Sequence, residues 1–185
     1  YYDCSCDSHD IFDTLEIAKH PSYEKHLNHY NVIQVDVQGM RDRVGKEDFE
    51  HKFSQEILKD MHEKWPDIVT GTEPNLFTAF HHVYEHTKVK FVFIFDEWDS
   101  IARNDKNDLV LQKNWITFLR MLFKDGPAEK YTALVYLTGI LPIHKFGSQS
   151  SLGHFKEYTI VAPLRFSPWV GFTESDVEIL AKQFD

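Results

Sequence analysis

Residues 91–95 (FVFIF) place five apolar side chains in a row, and the run ends in Asp96-Glu97. A strand with one face in water alternates apolar and polar residues. An unbroken apolar run of this length suits a strand covered on both faces, as in the middle of a parallel sheet. Two further β-branched or apolar segments fit the same sheet, 31–37 (NVIQVDV) and 132–137 (TALVYL), and 157–162 (EYTIVA) reads as a fourth strand.

Helical patterns lie between these strands. Phe49, Phe53, Ile57 and Met61 recur every four residues, with Leu58 widening the stripe, which predicts a helix over 47–65 stopped by Pro66. Leu76, Phe77, Phe80, Val83 and Tyr84 predict another over 75–87. Trp115, Phe118, Leu119 and Leu122 predict a third over 108–124, before Gly126-Pro127. Residues 10–19 read as a short helix, with a turn over 22–29 after Pro21. Thr173, with Asp176 three residues on, caps a last helix. Strands alternating with helices give an α/β fold around a largely parallel sheet.

Composition narrows the partners. The 185 residues are 42% hydrophobic and 15% aromatic, a globular balance that argues against disorder. Lys+Arg 20 against Asp+Glu 29 gives a net charge of −9, which does not suggest a domain that coats nucleic acid. The two cysteines, Cys4 and Cys6, are too close for an ordinary disulfide and have no second pair to complete a zinc site. They read as reduced thiols of a cytoplasmic protein. No apolar run approaches the roughly 20 residues of a membrane span, so no membrane partner is expected. No signal peptide is visible, and the chain starts at Tyr1 rather than Met, so it need not begin where its gene begins.

In open parallel sheets ligands bind beyond the carboxyl ends of the strands. There the second strand offers Asp96, Glu97, Trp98 and Asp99, and the third Thr138-Gly139. An apolar strand ending in Asp-Glu is the Walker B pattern. An Asp fixed at the strand end holds Mg²⁺, usually through its water shell, and the adjacent Glu can orient or deprotonate the water that attacks a γ-phosphate. Thr138 on the neighbouring strand could contact that water or the phosphate. Strands also end in acidic residues simply because they meet solvent, so this pattern alone is moderately specific.

The chain resembles the bacterial AAA-ATPase-like (predicted AAA-ATPase) family of P-loop NTPases. The resemblance runs over nearly all 185 residues and rests on ordered segments: IFDTLEIAKHPSYEKHLNHYNVIQVDV, FVFIFDEWDSI, ITFLRMLFKD, ALVYLTGILPIHKFGSQSSLGHFKEYTIVAP and VGFTESDVEIL. It implies a single α/β domain over 1–185, a three-layer, mostly parallel sheet with helices on both faces. It implies an ATP-binding and hydrolysing module with Asp96 as the Walker B acid holding Mg²⁺, Glu97 as catalytic glutamate and Thr138 as a sensor-like residue. ATP and Mg²⁺ are the cofactors expected. Family members often carry a nuclease domain further on, through which DNA becomes a partner.

One departure is large. The family's phosphate-binding Walker A loop is not found: no G-x-x-x-x-G-K-[ST] occurs, and Gly45-Lys46 runs into Glu47. The expectation is an N-terminally truncated domain whose Walker A strand is missing between the sensor strand and the last strand, leaving an unpaired edge in mid-sheet. A degenerate stand-alone domain is the alternative.

Other residues have ordinary readings beside sharper ones. Asp99 reads as a solvated turn residue, with a carboxylate supporting the site as the alternative. Arg103 reads as a surface arginine, though it could face a phosphate. Trp98 reads as a core or lid aromatic rather than a base-stacking ring. His82 and His86 have the spacing of two metal ligands but lack an HExxH pattern. His144 and Lys145 fall in the loop region where ligands bind, and 146–154 reads as a mobile loop. Two functions compete with the ATPase: a non-catalytic interaction domain that kept the fold, and an ATPase module regulating a linked nuclease.

Overall fold

The computed structural model describes residues 1–124, 128–142, 155–159, 161–162, 164–167 and 170–184. It separates into two compact units, Tyr1–Gly153 and His154–Asp185. His144, Lys145 and the 146–154 segment lie outside the described residues.

The first unit is mixed α/β. Three parallel strands, β1 (Asn31–Asp36), β2 (Phe91–Asp96) and β3 (Thr132–Leu137), stand in the order β1-β2-β3. The unbroken apolar run is thus the central strand. Its successive residues Val92 and Phe93, which point to opposite faces, are both buried, as a strand covered on two faces requires. Among the described residues β3 pairs with β2 alone. On β3, Leu134 and Tyr136 are 39% and 54% exposed, in register with Val92 and Ile94.

The helices of this unit are α1 (His9–Phe12), α2 (Tyr23–His26), α3 (Val37–Val44), α4 (Phe49–Lys64), α5 (Leu76–Thr87), α6 (Ser100–Asn104), α7 (Leu109–Phe123) and α8 (Ala128–Tyr131). Three of them form as their periodicity predicts. Phe49, Phe53, Ile57 and Met61 of α4 are buried, as are Leu76, Phe80 and Val83 of α5 and Trp115, Leu119 and Leu122 of α7. Their starts are fixed by side-chain caps where the sequence supplies them. Asn75 accepts the Thr78 N–H, and Asp108 accepts the Leu111 N–H.

Aromatic rings join these helices to β2. Phe53 of α4 lies edge-on to Phe95 and to Trp115 of α7, with ring centroids 5.7 and 5.2 Å apart. Phe80 of α5 meets Phe91 and Phe93 edge-on, each at 5.0 Å. Phe123 of α7 packs on Phe93 and Phe95 at 5.3 and 5.4 Å. Residues 91, 93 and 95 share one face of the strand, so one row of phenylalanines anchors three helices.

Local departures have local causes. The 10–19 segment is not one helix: α1 ends at Phe12, Leu15 is extended, and a 3₁₀ turn follows over Glu16–Lys19. Ile11, Leu15 and Ile17 are exposed, so little packing holds a short helix together. The expected strand over 157–162 is not formed among its described residues; Thr159 and Ala162 make only an isolated antiparallel bridge. Also in the second unit, α9 (Glu174–Phe184) begins with the expected cap. Thr173 Oγ1 accepts the Asp176 N–H at 3.2 Å, and the Asp176 carboxylate accepts the Thr173 N–H at 2.8 Å.

Candidate functional site

The carboxyl ends of the three strands bring the chemistry-bearing residues together. Asp36 closes β1 and is in register with Asp96, which closes β2. Asp36 is the N-cap of α3, its carboxylate accepting the Gly39 N–H at 3.0 Å, so β1 turns into a helix without a loop. Thr138, just past β3, donates its hydroxyl to Asp96 Oδ1, and the same oxygen accepts the Glu97 N–H at 3.0 Å. Asp96, Glu97 and Thr138 therefore meet at adjacent strand ends.

Glu97 has φ 54°, a left-handed conformation uncommon for a residue with a long side chain. It lets the chain turn sharply, and the Ser100 N–H closes that turn on the Glu97 carbonyl at 2.9 Å. The turn leads into α6, whose Arg103 reaches back to pair through Nη2 with Glu97 Oε2.

Asp99 is not the solvated turn residue expected. Its side chain is fully buried, with 0% exposure. Its Oδ2 accepts the N–H groups of Ile140 and Leu141 at 3.0 and 2.7 Å and lies 3.4 Å from Arg103 Nε. Gly139 makes this approach possible. A Cβ there would stand 2.6 Å from Asp99 Oδ1 and 2.9 Å from Trp98 Cδ1. Arg103 is likewise more than a surface arginine, since it bridges Glu97 and Asp99. Trp98 is a core aromatic: it is buried, and its carbonyl accepts the Trp115 indole N–H at 2.9 Å.

A second ion pair braces the helices behind the strand ends. Arg41 of α3 donates from Nε and Nη2 to the two oxygens of Asp105, at 3.1 and 2.7 Å. The side chain of Asp105 is almost fully buried. The hydrogen bonding of this fork raises the Arg41 guanidinium above its ordinary value.

The strand-end donors Asp36, Asp96, Glu97 and Thr138 all offer oxygen, which suits a hard cation such as Mg²⁺. Among the described residues no three His, Cys, Asp or Glu side chains are grouped to hold a metal ion, and His82 and His86 belong to no such group. Mg²⁺ needs no such cage, because it keeps several waters and is commonly held through one or two carboxylates. Cys4 and Cys6 are free thiols. No helix among the described residues is long and apolar enough to cross a membrane.

The sequence singles out Asp96, Glu97 and Thr138, and the fold brings them together. The contributions of Asp99, Arg103 and Gly139 are not legible from residue type. The one signal for them is a strand-end Thr-Gly facing an Asp-Glu-x-Asp on the neighbouring strand. No curated protein and no solved structure matches the chain. The sequence model of the family described as Predicted AAA-ATPase matches residues 1–148, most of the chain. With that match joined to a parallel sheet whose strand ends gather Asp96, Glu97 and Thr138, the protein belongs to the predicted AAA-ATPase family.

Proposed function

We propose that the chain is an ATP-binding and hydrolysing module of P-loop NTPase type, one domain over 1–185 in a larger bacterial, cytoplasmic protein. The observation that carries the reading is the meeting of Asp96, Glu97 and Thr138 at the carboxyl ends of two parallel strands. Asp96 would hold Mg²⁺ through its water shell, and the chemistry supplied there would be neutralisation of phosphate charge. Glu97 orients or deprotonates the attacking water, and Thr138 contacts that water or the γ-phosphate. Among the described residues β3 pairs with β2 alone, which is compatible with a phosphate-loop strand on its other side. A regulatory link to a nuclease domain and DNA extends this reading from the family resemblance alone.

A second reading is a nucleotide-type fold used only for protein interaction. One observation favours it: the Glu97 carboxylate is engaged by Arg103. Calorimetric titration of the natural full-length protein with ATP, with and without Mg²⁺, separates the two. The ATPase reading expects Mg²⁺-dependent binding that Asp96→Asn weakens. Absence of ATP binding by the folded protein selects the interaction domain.

A further inference from the structure

Arg103 pairs through Nη2 with Glu97 Oε2, and Asp99 Oδ2 lies 3.4 Å from Arg103 Nε, an ion pair without a hydrogen bond. Asp99 in turn is fixed by the backbone immediately after Thr138, through the N–H groups of Ile140 and Leu141. A continuous polar chain thus runs from the loop behind the sensor-like residue to the glutamate at the end of the neighbouring strand. It is separate from the direct Thr138–Asp96 hydrogen bond.

The carboxylate at position 99 is expensive for a purely structural part. It is fully buried, and its Oδ1 has no hydrogen-bond partner among the described residues. A buried charge satisfied on one oxygen only is a burden on stability, and a neutral amide would still accept the two backbone N–H groups. What the amide would not supply is a negative charge beside Arg103.

We propose that Asp99 is a positioning residue, whose buried carboxylate holds Arg103 against Glu97 and so couples the loop after β3 to the placement of the water-activating glutamate. The inference rests on the ATPase reading for its catalytic consequence. Its geometric part, the dependence of the Arg103–Glu97 pair on Asp99, does not. Ile140 and Leu141 tie Asp99 to the backbone after β3, and through Arg103 they tie the Glu97 carboxylate to it as well.

The test combines turnover with unfolding in the natural full-length protein. Asp99→Asn is expected to unfold at the same urea concentration as wild type or higher. Its kcat for Mg²⁺-ATP falls by up to about 10²-fold at unchanged KM, the scale of a catalytic group misplaced by about 1 Å. In a Glu97→Gln background, Asp99→Asn causes no further loss, because the group it positions is gone. A double-mutant cycle between Arg103→Met and Glu97→Gln, read by urea unfolding, shows a coupling that shrinks when Asp99 is replaced by Asn.

Wild-type turnover in Asp99→Asn, or an equal loss in the Glu97→Gln background, overturns the positioning role. An Arg103–Glu97 coupling indifferent to Asp99 overturns it with or without turnover. A wild-type protein with no ATPase activity defeats the ATPase reading and the catalytic consequence together. The unfolding cycle then still decides whether Asp99 holds the pair.

Discussion

Thr138 at the end of β3 donates its hydroxyl to the Asp96 carboxylate at the end of β2. The two residues are 42 positions apart in the chain and meet because parallel strands carry their carboxyl ends to one edge. Replacing Thr138 with Val removes the donor and keeps the shape. Since the bond is exposed, Thr138→Val is expected to cost about 1 kcal/mol of stability or less. On the ATPase reading its kcat falls while Thr138→Ser retains most activity. Urea unfolding and steady-state ATP turnover check the two expectations.

Gly139→Ala addresses the close approach of the two strand-end turns. The added Cβ would meet Asp99 Oδ1 at 2.6 Å, and Asp99 cannot swing aside without releasing the Ile140 and Leu141 N–H groups. A destabilisation of about 1–3 kcal/mol is expected, the usual cost of forcing extra volume into a packed site. Equilibrium unfolding reads it. A wild-type midpoint would show that the two turns part to admit the methyl group without cost.

These examples show how unevenly the fold could be read from sequence. β2 was legible because burial on both faces leaves no polar alternation to confuse it. Helices α4, α5 and α7 were legible because each carries a long apolar stripe. Helix α3 was not, since 37–44 (VQGMRDRV) has a Gly in its first turn and charges in its last. It forms through the Asp36 cap and the Arg41–Asp105 fork, contacts that exist only once β1 and α6 are in place. The site divides the same way. Asp96 and Glu97 announce themselves at a strand end, whereas the burial of Asp99 is created by backbone N–H groups about forty residues later in the chain.

The Arg41–Asp105 fork carries its own prediction. Arg41→Ala leaves the buried Asp105 carboxylate without its guanidinium, and an uncompensated buried charge costs about 3–5 kcal/mol, less here because Arg41 reaches the surface. Arg41→Lys recovers only part of the loss, since an ammonium cannot make the two parallel bonds. Chemical denaturation of both variants tests the order: wild type most stable, then Lys, then Ala.

Glu50, in the first turn of α4, gives a pH prediction. Burial raises its carboxyl above the ordinary value, and its Oε1 is buried with no hydrogen-bond partner among the described residues. The folded state therefore binds this proton more tightly than the unfolded chain. Its contribution is most favourable below the unfolded pKa and is lost as pH rises through the folded pKa. Glu50→Gln should be more stable than wild type at neutral pH, with the gap closing on acidification below the ordinary Glu range. Thermal melts of both proteins across that range report it. A gap that widens on acidification would reverse the assignment.

The central claim is that the strand-end residues activate water for ATP hydrolysis, and a single-turnover assay tests it most directly. The natural full-length protein and its Glu97→Gln variant, each in molar excess over the nucleotide, are mixed with radiolabelled Mg²⁺-ATP, and released phosphate is followed. The account predicts that both bind nucleotide and that Glu97→Gln hydrolyses it about 10²- to 10⁴-fold more slowly, the loss expected for removal of a general base. Equal hydrolysis by the two proteins, or no hydrolysis by a folded wild type that binds ATP, would contradict it.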